Sequence, residues 1–266
     1  AASAAGPGAS EGQEAHDKAE DARRARGRGS HGCEHYRRRC LLRAPCCGEL
    51  VACRHCHNEQ HDHELPRSDV THVVCLLCNT EQPVAKECMA CGVTMGEYFC
   101  RACVFFDDEE KGQFHCDECG ICRVGGADQF FHCKRCGCCY SVELRDKHTC
   151  VERSMHSNCP VCFDYLFDSV KPIQVMRCGH TIHHDCFDQL RRQQIYKCPL
   201  CSKSALDMHK VWEQLASDVE ATPMPDEYAD LMVQALCNDC SSVSSTNFHI
   251  LGLQCRACGG FNTQRI

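Results

Sequence analysis

Small modules in series, irregular and β-rich with few short helices, each built around metal rather than a wide apolar core, are the fold class this sequence predicts. Three observations carry that prediction. Thirty of the 266 residues are cysteine, above the ~8–10 % that marks either a disulfide scaffold or a metal-bound chain. Most fall in Cys-x2-Cys pairs with histidine interleaved, as in Cys33-x-His35, Cys56-His57, His115-Cys116, His132-Cys133 and Cys178-x-His180. Finally, candidate ligands close on multiples of four in every segment. Residues 33–91 supply twelve, 100–150 twelve, 159–201 eight and 237–258 four, enough for nine four-coordinate ions.

Zinc fits this pattern and disulfides do not. Cys-x2-Cys puts two sulfurs on one tight turn, which suits one tetrahedral ion and is awkward for separate bridges. Histidine has no use in a disulfide. Thiolate ligands imply a reducing compartment. The opening thirty residues hold no apolar core of the signal-peptide kind, and their acidic residues argue against a transit peptide. No apolar stretch approaches the ~20 residues that span a bilayer, so no membrane partner is expected. The formal charge is −7 with neutral thiols, and twenty-eight thiolates on nine divalent ions would take it to about −17. A chain that acidic is a poor direct ligand for nucleic acid, which needs clustered basic charge.

Along the chain, residues 1–30 are low-complexity and expected to be a disordered tail. The segment 31–96 offers Cys33, His35, Cys46, Cys47, Cys53, Cys56, His57 and His63 for two ions whose pairing stays open, then a self-contained knuckle of Cys75, Cys78, Cys88 and Cys91. The segment 97–152 repeats a short phrase, with Phe114-His115-Cys116 and Phe131-His132-Cys133 as near copies, and suggests stacked metal loops. Its ligands are Cys100, Cys103, His115, Cys116, Cys119, Cys122, His132, Cys133, Cys136, Cys139, His148 and Cys150. Residues 153–158 read as a short connector. After the segment 159–202, a linker helix is expected over 204–221, opened by a capping box at Ser204-Ala-Leu-Asp207 and stopped by Thr222-Pro-Met-Pro225. Its apolar face would carry Leu206, Val211, Trp212, Leu215 and Val219. A zinc ribbon over 232–264 pairs Cys237 and Cys240 with Cys255 and Cys258 across a strand-like Phe248–Leu253.

Residues 159–201 read Cys-x2-Cys-x15-Cys-x-His-x2-His-x2-Cys-x11-Cys-x2-Cys. That order fits a RING finger of the RING-H2 kind with cross-braced pairing. One ion takes Cys159, Cys162, His183 and Cys186, the other Cys178, His180, Cys198 and Cys201, around a short helix at Phe187–Gln194. By resemblance to RING fingers, Val161, Leu190, Pro199 and Leu200 are the candidate contacts with a ubiquitin-conjugating enzyme. The plainer reading for Val161 and Leu190 is core packing. No cysteine here is spare, so no ubiquitin thioester is expected on it, and no catalytic residue is assigned. Where many RING ligases have Arg after the last ligand pair, this chain has Ser202 and then Lys203.

The wider order resembles one family. Gly32-Cys-Glu-His-Tyr36, Ala44-Pro-Cys-Cys47 and Cys53-Arg-His-Cys-His57 resemble the CHY zinc finger. Gly96-Glu-Tyr-Phe-Cys100, His115-Cys-Asp-Glu-Cys-Gly-Ile-Cys-Arg123 and Phe130-Phe-His-Cys133 resemble the CTCHY finger. With the RING, Leu236-Cys-Asn-Asp-Cys240 and Phe248-His-Ile-Leu-Gly252, they resemble the ring-finger and CHY-zinc-finger ubiquitin ligases. The resemblance implies a RING-type ubiquitin transferase binding about nine Zn2+. It would work in nucleus and cytoplasm with a conjugating enzyme and ubiquitin, sending regulatory proteins such as transcription factors to the proteasome. It also implies substrate contact by the ribbon and part of 31–96. Cys40 and Cys138 are left over, with Cys139 taken as the ligand because its spacing repeats the neighbouring rhythm. A rival reading makes the chain a non-enzymatic zinc scaffold or redox sensor with one of these two as an exposed thiol. The plainer reading makes both inert.

Overall fold

A computed structural model describes residues 10–266. It divides into two compact units, residues 1–130 and 131–266. The elements are short and the sheets small, as the fold class requires: four α-helices and a set of two- to four-stranded antiparallel sheets among the described residues.

The first unit opens with helix α1, Ser10–Ala25, so the expectation of a disordered tail fails over this span. Residues 1–9 lie outside the described residues. Two local facts favour the helix: Ala, Glu, Lys and Arg dominate it, and Glu20 pairs with Arg24 one turn on. A third is non-local. The end of α1 is tied down, because Thr94 N–H and the Arg39 guanidinium both donate to the Arg24 carbonyl, at 3.1 and 2.7 Å. Beyond it, strands Cys40–Arg43, Leu50–Val51, His72–Cys75 and Glu81–Pro83 form one sheet, with Cys40–Arg43 and His72–Cys75 at its centre. Helix α2, Arg54–Gln60, follows the second strand.

This sheet covers a larger apolar core than a metal-only module would need. Leu42, Val73, Val93, Met95 and Phe106 are all essentially inaccessible. Phe106 belongs to the hairpin Tyr98–Cys100/Phe105–Asp107, so the core runs past residue 96 into the next segment. A second hairpin pairs Phe114–Cys116 with Ile121–Arg123.

In the second unit, strands Phe130–Cys133 and Cys138–Ser141 pair over a small core of Cys136, Cys138, Tyr140 and Met155. Phe167, Ile173 and Val175 from the following module pack on that core. Residues 153–158 are partly packed: Ser154 and Met155 are buried, and the Thr181 hydroxyl donates to the Ser154 carbonyl at 2.7 Å. Next come the hairpin Ile173–Val175/Thr181–His183 and helix α3, His184–Arg192. That helix starts three residues before the expected Phe187 and stops two before Gln194.

Helix α4 spans His209–Ala221. The capping box fails because the Ser204 hydroxyl is occupied elsewhere, donating to Asp239 Oδ2 at 2.8 Å. Asp207 Oδ1 instead accepts the His209 N–H at 3.1 Å. Trp212, Leu215 and Val219 lie on the sheltered side while Val211 is exposed, a correction to the apolar face. The ribbon's sheet has Met232–Cys237 at its centre, flanked by Val243–Asn247 and Thr263–Arg265. Phe248–Leu253, expected as a strand, is an irregular turn segment.

Candidate metal centres

Most of the Cys-x2-Cys turns share one backbone plan. The residue after the second cysteine sends its N–H back to the carbonyl of the first, as in Asn79 to Cys75 at 2.9 Å, Phe163 to Cys159 at 3.0 Å, Ser202 to Cys198 at 2.8 Å and Ser241 to Cys237 at 2.9 Å. That residue must take a left-handed conformation, the way many helices are capped. Gly92 and Gly137 do so freely, while Asn79, Phe163, Ser202 and Ser241 do so at φ near 60° despite a Cβ. The turn aims both sulfurs at one point.

Four ligand sets close in the first unit: Cys33, His35, Cys53 and Cys56; Cys46, Cys47, His57 and His63; Cys75, Cys78, Cys88 and Cys91; and Cys100, Cys103, His115 and Cys122. The third is the predicted knuckle. The first two settle a pairing that spacing alone left open. Strand register explains why the fourth skips Cys116. His115 sits directly opposite Cys122 in the hairpin, so the two side chains share a face, while Cys116 takes the other face.

The second unit closes four more. Cys133, Cys136, His148 and Cys150 meet, with sulfur-to-Nε2 separations of 3.6 Å for Cys136 and 3.2 Å for Cys150, and 3.9 Å between the sulfurs of Cys133 and Cys150. The RING pairing is cross-braced as predicted. Cys162 Sγ lies 3.2 Å from His183 Nδ1, and Cys159 and Cys186 complete that set. His180 Nδ1 lies 3.5 Å from Cys178 and 3.7 Å from Cys198, with Cys201 beside them. In the ribbon, Cys237 faces Cys258 and Cys240 faces Cys255, each at 3.6 Å.

These separations fit zinc. A tetrahedron with Zn–S of ~2.3 Å and Zn–N of ~2.0 Å has edges of roughly 3.5–3.8 Å, whereas a disulfide needs ~2.05 Å. The histidines fit as well, since several have their second nitrogen held. His148 Nδ1 donates to the Leu144 carbonyl at 2.9 Å, His57 Nδ1 to Asn58 Oδ1 at 3.1 Å, and His183 Nε2 meets the Ser169 hydroxyl at 2.9 Å. The His35 and His115 Nε2 atoms face Glu59 at 3.2 Å and Asp117 at 3.6 Å. Such anchoring fixes both the tautomer and the ring plane. Asn58 and Ser169 have no spacing signature and were not legible in the sequence.

Cys40 and Cys138 are fully buried. Burial pushes the Cys40 thiol up to about 12, and Cys138 lies in the core with Tyr140 and Met155. Neither is the exposed thiol that a redox sensor requires.

On the RING surface, Leu200 and its neighbour Pro199 are exposed, Leu200 by 54 %. Val161 and Leu190 are half-buried and pack against a core of Leu166, Met176, Ile182 and Phe187. Phe163, absent from the contacts expected from sequence, is 73 % exposed directly after Cys162. Its place after Cys-Pro-Val-Cys was the available signal. Among the described residues, no helix is long and apolar enough to cross a membrane.

Three stretches of the chain match known family models. Residues 33–98 match the CHY zinc finger, 157–202 the Ring finger domain and 206–264 the Zinc-ribbon. "E3 ubiquitin-protein ligase RZFP34" of Arabidopsis thaliana is 55 % identical over 90 % of this chain and 86 % of its own length. "E3 ubiquitin-protein ligase SRFP1" of Oryza sativa subsp. japonica is 51 % identical over 90 % of this chain and 93 % of its own. The rice "Probable E3 ubiquitin-protein ligase RZFP34" is 48 % identical over 89 % and 81 %. With these module matches and with identities of about half over most of both chains, the chain belongs to the family of E3 ubiquitin-protein ligases that carry a CHY zinc finger and a RING finger.

Proposed function

We propose that this chain recruits a ubiquitin-conjugating enzyme to its RING and directs ubiquitin onto lysines of bound regulatory proteins, transcription factors among them, for degradation by the proteasome in nucleus and cytoplasm. The observation that carries the reading is the cross-braced ligand set from Cys159 to Cys201. It fixes two loops and α3 side by side and leaves Leu200 facing solvent. Val161, Leu190, Pro199 and Leu200 form the docking face, with Phe163 at its edge. Substrate contact is assigned to the ribbon and part of 31–96. With the remaining ligands of the sequence set, Cys116, Cys119, His132 and Cys139, the chain binds nine zinc ions.

The zinc is structural in this reading and supplies rigidity only. The lysine amine of the substrate attacks the thioester carbonyl of ubiquitin on the conjugating enzyme. The C–N bond forms, the C–S bond breaks, the conjugating enzyme's thiolate leaves, and the ammonium proton passes to solvent. No residue of this chain takes a proton or forms a bond. Its contribution is proximity and orientation.

The test is self-ubiquitination with a panel of conjugating enzymes. Wild type is expected to build chains, Cys159→Ala to build none, and Val161→Ala to lose most of the rate with its zinc content intact. Chains that persist in Cys159→Ala, or none from wild type with any conjugating enzyme, would refute the proposal.

A further inference from the structure

The final zinc loop of the RING is held from outside the RING. Asn262, fully buried at the end of the ribbon, donates from Nδ2 to the Ser202 carbonyl at 2.8 Å and to Asp239 Oδ1 at 2.9 Å. Its own Oδ1 accepts from Asn238 Nδ2 at 3.1 Å, which fixes the amide's orientation. Asp239 stands on the knuckle between Cys237 and Cys240. It accepts the Ser204 N–H at 2.6 Å and the Ser204 hydroxyl at 2.8 Å. Within the RING, Cys198 N–H donates to the Lys203 carbonyl at 2.8 Å. Trp212 of α4 closes the same junction, with ring centroids 5.5 Å from Tyr196 and 6.0 Å from Phe261.

Pro199 and Leu200 are already fixed by the flanking ligands Cys198 and Cys201. What the ribbon adds is the course of the chain just past the last ligand, where Ser202 sits at φ +61° and Lys203 is exposed. Lysine is a point charge on a flexible four-carbon stem, so the direction it serves is set by the backbone at its root. The geometry points to Asp239 and Asn262 as positioning residues for ubiquitin transfer. They hold Ser202–Ser204 so that the Lys203 ammonium steadies the donor ubiquitin while that ubiquitin is still joined to the conjugating enzyme. This rests on the function proposed above. The ribbon then serves the RING as well as the substrate, and a RING that keeps all eight ligands still loses turnover when the ribbon lets go.

The experiment is single-turnover discharge of a preformed conjugating enzyme–ubiquitin thioester to free lysine, using the full chain over a range of concentrations and measuring zinc on every variant. Asn262→Ala is expected to keep its zinc and lose about tenfold in maximal rate, with the half-saturating concentration shifting by less than about twofold. Asp239→Asn keeps an acceptor for the Ser204 amide and retains most of the rate. Adding Lys203→Ala to Asn262→Ala costs little beyond Lys203→Ala alone, since both act on one contact. A zinc-replete Asn262→Ala with the wild-type maximal rate overturns the inference, and so do two losses that multiply. If Asn262→Ala sheds ribbon zinc, Ser204→Ala on the RING side is judged by the same criteria. A wild-type chain inactive with every conjugating enzyme would instead overturn the ligase reading beneath it.

Discussion

Stripping the metal with a strong chelator at neutral pH is expected to release close to nine zinc ions per chain and to unfold both units. The binding energy of a structural zinc is folding energy, about 10–16 kcal/mol per site in zinc-finger peptides, while a whole domain is stable by only ~5–15 kcal/mol. Loss of even one ion per module therefore exceeds what the apolar contacts can supply. The module over residues 130–158 should go first. Its core beneath the 130–141 hairpin rests on Cys136, Cys138, Tyr140 and Met155, whereas the first unit also buries Leu42, Val73, Val93, Met95 and Phe106. Amide exchange during chelation, with zinc counted by elemental analysis, checks both points. Release of about four ions, or a chain whose amides stay protected without metal, would contradict the ligand assignment.

The second large effect is expected at Arg39, which is not itself a metal ligand. Its side chain is fully buried and reaches Asp108 at 2.6 Å, Glu97 at 2.8 Å and the Arg24 carbonyl at 2.7 Å. Asp108 is equally buried and accepts the Gly29 N–H at 3.0 Å. Arg39→Ala leaves that carboxylate without its counter-ion and the Arg24 carbonyl at the end of α1 with only the Thr94 N–H. Breaking a buried pair on one side costs about 3–5 kcal/mol. In zinc-saturated protein, the opening free energy read by hydrogen exchange at Val73–Cys75 should fall by that amount, and α1 should lose protection. The double substitution Arg39→Met with Asp108→Leu should recover much of the loss, because it removes both charges together. An Arg39→Ala chain within about 1 kcal/mol of wild type would show that the network stabilises nothing.

Both predictions bear on what could be read from residues alone. Metal ligands were legible because zinc coordination is a local code. Two sulfurs three residues apart make one turn, and eight ligands in RING order admit one cross-brace. The skipped Cys116 was not legible, since it depends on which residues face each other across the Phe114–Cys116/Ile121–Arg123 hairpin. Nor was α1. Its composition suits a helix and a disordered tail alike, and the contacts that hold its end come from Arg39 and Thr94, far along the chain. The start of α4 was misplaced for the same reason. Ser204 is a good cap by type, but Asp239 takes its hydroxyl from thirty-five residues away. Errors therefore gathered where hydrogen bonds are long-range.

In the function proposed above, this chain moves ubiquitin by holding other proteins in place, without a ubiquitin thioester on a thiol of its own. The direct test mixes the zinc-loaded chain with a conjugating enzyme charged with ubiquitin and quenches at short times, with and without reducing agent. Ubiquitin is expected on lysine only, through bonds that survive reduction, with no thioester adduct on this chain at any time. A ubiquitin adduct on this chain that reducing agent removes, formed before the lysine-linked product and at its expense, would contradict it.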